Sequence, residues 1–233
     1  MNASWKTIFF YCVTIFSTIL LTWWFSQSVT TFSETMPPER QNCIILDAGH
    51  GGEDGGAVSC TGIPESRFNL EIVLRLNDLF HLLGHETKMI RTEDVSIYRS
   101  GNTLSQKKIS DLKERVRITN ETASAVLLSI HQNYFSDPQY SGAQVFYAKS
   151  SGSAALAEKV QSALQAGFDA KNNRKAKKIG NVYLMEHISC PGILIECGFL
   201  SNPAEEILLR TPDYQKKLCG IIASTVQSYL SNT

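Results

Sequence analysis

From Cys43 to the C-terminus, short apolar runs rich in Ile, Leu and Val alternate with longer stretches whose apolar residues recur at helical spacing. This alternation constrains the fold more than any other feature. Strands separated by helices pair in parallel, and a parallel sheet needs helices on both faces to bury it. Cys43 to Asp47 reads as a buried strand. Glu65 to Leu83 reads as a helix, with Phe68, Leu70, Ile72, Val73, Leu76, Leu79, Phe80 and Leu83 on its period and Gly84 as its stop. Thr87 to Arg91 is a short strand, and Val95 to Ser110 is polar and irregular, a loop. Asp111 to Thr122 is helical, and Ala125 to Ile130 is a strand ending at His131. Gln144 to Ala148 is a strand and Ser153 to Phe168 a helix. The basic run Lys171 to Lys178 is an exposed loop, Val182 to Met185 and Ile193 to Glu196 are strands, and Pro203 to Leu209 and Asp213 to Leu230 are the closing helices. The expected fold is a single α/β domain over residues 43–233, a mostly parallel twisted sheet with helices on both faces.

The first 40 residues differ in kind. Thr7 to Phe25 carries no charge, and its length matches the hydrocarbon core of a bilayer. Trp5 stands at one end and Trp23 and Trp24 at the other, as interfacial anchors do. Lys6 precedes the run and Arg40 is the next basic residue, which favours an N-terminus inside and the remainder outside. Residues 1–25 are expected to be a membrane anchor. A cleaved signal is the competing reading, but the apolar core is long and no A-x-A site follows it. Residues 26–42, with Ser, Thr and two prolines, read as a linker. The domain that follows would then lie on the outer side of the membrane.

The formal net charge is zero, with 22 basic and 22 acidic residues among 233, so no electrostatic case exists for nucleic acid as a partner. Of six cysteines, Cys12 lies in the apolar segment, and no C-x-x-C pair occurs. Cys43 and Cys197 fall in strand-like runs, where free cysteine is commonly a small buried apolar residue.

Ligands of open parallel sheets gather beyond the carboxyl ends of the strands. Three strands end in groups capable of chemistry: Asp47 with His50, His131, and Glu196. Glu65 stands at the start of the helix after the first strand. Two imidazoles and one carboxylate, His50, His131 and Glu65, suit one Zn²⁺ with a fourth position open. A further carboxylate that is not a ligand must then move the proton of the attacking water. Glu196 is the candidate, since a carboxylate ending the run Ile193-Leu194-Ile195 must be paired or desolvated. Asp47 is assigned a supporting role, orienting an imidazole or the turn, and Glu53 and Asp54 have none.

Five motifs carry a resemblance: Ile45-Leu46-Asp47-Ala48-Gly49-His50-Gly51-Gly52; Glu65 with Asn69; Arg91-Thr92-Glu93-Asp94; Arg115 with Asn120; and Ser129-Ile130-His131-Gln132-Asn133. A sixth runs from Pro191 to Asn202. In order and spacing they resemble the zinc-dependent N-acetylmuramoyl-L-alanine amidases of peptidoglycan. The resemblance implies zinc on His50, Glu65 and His131, and Glu196 as the catalytic carboxylate. The membrane segment and the lack of a separate wall-binding module are most similar to the CwlD-type amidases of endospore formers. That implies spore cortex as substrate, the first step towards muramic-δ-lactam. No extra helical insertion of the kind that occludes the site in regulated division amidases is found, so access is expected to be governed by location or a protein activator. Ala48 stands where the family usually has proline and Gln132 where it usually has alanine. The loop Asn172 to Lys178 fits loosely, which leaves the contacts of Arg174 open.

Two other readings compete: a zinc peptidase trimming wall peptides, and a non-catalytic wall-binding module that keeps the metal for structure. His81 and His85, four apart, mimic a helical zinc site. Gly84 ends the helix between them, so they are expected to serve no metal. His187 has no matched role.

Overall fold

Three adjacent strands, β1 (Cys43–Ala48), β3 (Ala125–Asn133) and β6 (Gly192–Phe199), form the buried middle of a six-stranded sheet in a computed structural model of the chain. The structure describes residues 4–30, 42–168 and 172–232, in two units, Met1–Arg40 and Gln41–Thr233. With β2 (Thr87–Met89), β4 (Gln144–Tyr147) and β5 (Lys177–Lys178), the sheet order is β2-β1-β3-β6-β4-β5. All neighbours are parallel except β4 against β6. The mostly parallel sheet is therefore as the alternation implied.

Period-two burial sorts the strand residues between two cores. Ile44, Leu46 and Ala48 point to one face, beneath α2 (Glu65–Leu82), α4 (Ser153–Phe168), α6 (Pro203–Leu209) and α7 (Pro212–Leu230). Ile45, Leu127 and Leu194 point to the other, where Leu184, Met185 and Ile188 pack with Val116 and Ile118 of α3 (Leu104–Asn120). On α2 the stripe Phe68, Ile72, Val73, Leu76 and Phe80 is buried, each side chain contributing roughly 1.5–3 kcal/mol. This stripe fixes the helix rotation, and so the direction in which its first residue, Glu65, points.

Several expectations need correction. The stretch Val95 to Ser110 is not all loop, because α3 starts at Leu104 rather than Asp111. Thr103 accepts from the Gln106 amide while the Gln106 side chain reaches back, a capping box that starts the helix early. Val182 to Met185 is not a strand. Asn181 has φ 62°, which breaks an extended path, and α5 (Tyr183–His187) follows. Leu184, Met185 and Ile188 are buried at helical spacing. The basic loop contains the two-residue edge strand β5, and Lys171 lies outside the described residues. The third strand does not end at His131 but runs on to Asn133.

In the N-terminal unit, α1 spans Trp5–Thr30, and Thr7–Trp24 is long and apolar enough to cross a membrane. It continues past Phe25 because the next residues are uncharged and hold no proline before Pro37. The remainder of the expected linker, residues 31–41, lies outside the described residues.

Candidate metal centre

β1 and β3 are neighbours, yet the chain leaves β1 towards β2 on one side and returns to β3 on the other. Such a reversal opens a crevice at the carboxyl edge, where ligands of α/β sheets bind. His50 follows β1 at this point and His131 lies near the end of β3. Glu65 reaches the same place from the first turn of α2. One potential ligand atom from each of the three lies within 4.8 Å of the others. His50 Nε2 is 3.3 Å from Glu65 Oε2, and His131 Nδ1 is 3.0 Å from Glu65 Oε1. The two imidazoles meet edge to face, 5.1 Å between centroids. Two nitrogens and one oxygen, converging with little room for another side chain, fit a divalent cation.

The backbone is shaped to this cluster. A Cβ on Gly49 would lie 2.1 Å from His131 Nε2, so only glycine lets the ring come so close. Gly56 has φ +72°, and its Cβ would fall 2.6 Å from Glu65 Oε2 and 2.7 Å from His50 Cδ2. His50 itself has φ 62°, an uncommon conformation for a residue with a Cβ. Two buried arginines hold the turn there. Arg115 donates to the carbonyls of Ala48 (3.0 Å) and His50 (2.8 Å), and Arg91 to those of Ala48 (2.9 Å) and Gly49 (3.2 Å).

Asp47 does not touch an imidazole. It is buried in an ion pair with Arg115 and accepts from Ser129 Oγ at 2.6 Å. Burial opposes its ionisation, but the Arg115 charge and the Ser129 hydrogen bond prevail and lower its pKa. Its support of the turn is therefore exerted through Arg115. The group that orients an imidazole is Asp54, which bonds His50 Nδ1 at 3.0 Å and Lys108 Nζ at 2.8 Å. This fixes which nitrogen of His50 faces the cluster. Sequence reasoning missed it, although a histidine and an acid four apart in one glycine turn was a usable signal. Glu53 pairs with Lys107 at 2.6 Å.

Glu65 is saturated with partners. Besides both imidazoles it accepts from the amides of Ala57 (3.1 Å) and Gln132 (3.0 Å) and from Asn69 Nδ2 (3.2 Å). Burial raises its pKa, but the hydrogen bond and charge of His131, then His50 and the Gln132 amide, pull it down to about 2. The Gln132 side chain donates to Asn69 Oδ1 at 3.2 Å, so this residue also braces the carboxylate's neighbour.

Glu196 stands across from His131 in the β3–β6 register. Its Oε2 is buried without a hydrogen-bond partner. Burial pushes its carboxyl up to about 7, with the His131 charge opposing and the Glu65 charge adding to the rise. An orphaned carboxylate oxygen beside three converging donors is what a site built around a further group shows.

The other histidines lie elsewhere. His81 Nε2 meets Thr87 Oγ1 at 2.6 Å, and His85 packs on Phe80. His187 stacks on Tyr183 at 4.0 Å, and Asn120 donates to its carbonyl. Arg174 lies over the Phe199 ring at 5.1 Å. All six cysteines are free, with Cys43, Cys197 and Cys219 buried.

Residues 44–228 match the N-acetylmuramoyl-L-alanine amidase family, Amidase_3. The germination-specific N-acetylmuramoyl-L-alanine amidase of Bacillus subtilis is 37% identical over 196 residues, 83% of this chain and 82% of that protein. The CwlD amidase of Clostridioides difficile, solved in complex with the GerS lipoprotein, superposes with a TM-score of 0.78 at 38% identity, covering 82% of this chain and all of that one. A further N-acetylmuramoyl-L-alanine amidase, from Clostridium difficile 630, gives 0.72 at 30% identity over 84% of this chain and all of its own. The chain belongs to the N-acetylmuramoyl-L-alanine amidase family, hydrolases that act on peptidoglycan, and within it resembles the CwlD type.

Proposed function

We propose that the cluster is a single-zinc centre held by His50, Glu65 and His131, with Glu196 as the general base and acid of the amide hydrolysis. The observation that carries this reading is the pairing of opposites at one edge: three converging donors, and beside them a buried carboxylate oxygen that nothing satisfies. Zinc bound there supplies Lewis acidity that eases deprotonation of water and polarises the scissile carbonyl. Glu196, raised to about 7 and so available as a carboxylate near neutrality, takes the proton from the attacking water in that ionised form. The water oxygen bonds to the lactyl carbonyl carbon of N-acetylmuramic acid, and the bond to the L-alanine nitrogen breaks. Glu196 returns the proton to that amine, so the stem peptide leaves and the glycan stays intact. Asp54 holds the His50 ring, and Arg115 with Arg91 holds the turn that carries it.

The assignment extends to the setting. Residues 1–25 anchor the chain, 26–42 link, and 43–233 form the catalytic domain on the wall side of the membrane. The substrate is spore cortex peptidoglycan, and the cleavage is the first step towards muramic-δ-lactam. The likeness to a germination-specific amidase supports that role, and the relative solved with a lipoprotein supports a protein activator. The test is to incubate the full chain with purified peptidoglycan, with and without zinc, and to analyse the products by mass. New free L-alanine amino groups, dependent on zinc, are expected. Products shortened only at the stem's carboxyl end would replace the amidase reading with a peptidase.

A further inference from the structure

The loop leaving β3, residues 134–142, carries exposed aromatic rings at the same carboxyl edge as the metal centre. The Phe135 ring meets Tyr140 edge to face, 4.9 Å between centroids, and Tyr140 stacks on Phe199 at 6.3 Å. Phe135 is 50% exposed and Tyr140 43%, whereas Phe199 beneath them is 3% exposed, with the Arg174 guanidinium over its ring. The platform is anchored at both ends to the two strands that hold the centre. Phe135 follows His131 by four positions, and Phe199 follows Glu196 by three.

The loop is also held in place. Asn202 Nδ2 donates to the carbonyls of Pro138 (2.9 Å) and Tyr140 (3.3 Å), and the Phe135 amide donates to Ser201 Oγ (3.2 Å). The Gly142 amide donates to Glu205 at 2.9 Å. Large rings kept in water by a fixed backbone, beside a centre that acts on a polymer, are binding surface rather than loose packing.

We propose that Phe135 and Tyr140 form a platform for a sugar ring of the glycan strand, steadying the polymer while its muramoyl amide enters the centre. A pyranose has an apolar C–H face rimmed by hydroxyls, which suits an exposed ring with a phenol beside it. The stem peptide suits it poorly. Its carboxylates and amines would lose water against the two exposed rings, whose faces offer them no partner; the nearby cation, Arg174, sits over Phe199 rather than over Phe135 or Tyr140. The inference rests on the centre assigned above, and binding separates the two when turnover alone would not.

The probe is peptide-free glycan of alternating N-acetylglucosamine and N-acetylmuramic acid, titrated calorimetrically into the full chain in detergent. Phe135→Ala and Tyr140→Ala are each expected to weaken binding about tenfold, the scale of one aromatic contact. Phe135→Trp, which keeps a stacking face, should bind like the parent. On intact peptidoglycan the alanine variants should raise KM by a similar factor and keep kcat. Alanine variants that bind glycan like the parent overturn the proposal, and so does a tryptophan variant as weak as alanine. His50→Ala should leave glycan binding intact, so failure of the metal assignment leaves its own signature.

Discussion

Glu65 and Glu196 lie at one edge of one sheet, Glu65 buried and Glu196 half-buried, both within the electrostatic reach of His131, and their surroundings are opposite. Glu65 has two imidazoles, two backbone amides and Asn69 around it. Glu196 has an oxygen with no partner at all. The first environment favours a fixed anion, the second a group that exchanges a proton near neutrality. The difference divides the labour within the proposed mechanism: a saturated carboxylate makes a ligand, and a starved one makes a base.

The largest effect that could break this contrast concerns the metal. Glu65→Ala should lower zinc affinity by more than the about 10–100-fold typical of residues that merely orient ligands, read by chelator competition. An affinity equal to the parent's would remove Glu65 from the centre.

Next comes the scaffold beneath the Glu65 side. Asp47→Asn removes one of the two carboxylates paired with buried Arg115, leaving Asp111 at 2.6 Å, and should cost about 1–3 kcal/mol. Asp47 has a lowered pKa in the folded protein. Its contribution is present above the unfolded value near 3.9 and is lost as pH falls below it. Urea unfolding from pH 7 to pH 3 should therefore show the parent approaching the variant at the acid end.

Asp54→Asn should weaken zinc binding about 10–100-fold, because His50 loses the acceptor that fixes its ring. An unchanged affinity would mean that the glycine turn alone positions His50.

The smallest effect is the most diagnostic, since its sign differs between the two carboxylates. In metal-free protein Glu65, drawn down to about 2, stabilises the fold above its unfolded pKa, and that gain fades as pH falls towards 2. Glu196, raised to about 7, does the reverse: its cost appears as pH rises past the unfolded value and is complete above about 7. At pH 8 with chelator, Glu65→Gln should lower stability and Glu196→Gln should raise it, each by about 1–3 kcal/mol. Thermal melts that shift the same way for both would abolish the contrast.

The sheet and the four converging side chains were legible in the sequence because they sit where periodicity is strong. β1, β3 and β6 are long apolar runs; His50 follows the first, His131 and Glu196 lie in the carboxyl-terminal halves of the other two, and Glu65 opens the helix after β1. Weaker local signals misled. The Thr103/Gln106 box lies in a stretch so polar that it reads as loop, and helix α3 gains its stability from capping and ion pairs rather than an apolar stripe. Val182 to Met185 is too short for spacing to separate strand from helix, and the left-handed Asn181 decides it. Asp47 supports the turn, one of the two roles its position suggested, whereas the imidazole contact of Asp54 was missed for a different reason. Which acid meets the imidazole depends on the path of a glycine turn, and on Arg115 arriving from α3 to claim Asp47. Long-range partners of that kind leave no periodic trace. The aromatic platform likewise joins Phe135, Tyr140 and Phe199, which only the fold brings together.

The division between ligand and base is tested most directly by one measurement on Glu196→Gln: bound zinc per chain alongside release of L-alanine amino groups from peptidoglycan. The account predicts one zinc, held as tightly as in the parent, and turnover reduced by at least about 10²–10⁴-fold. Turnover near the parent's level, or loss of the zinc together with it, would contradict the assignment of Glu196 as the proton carrier outside the metal's ligand set.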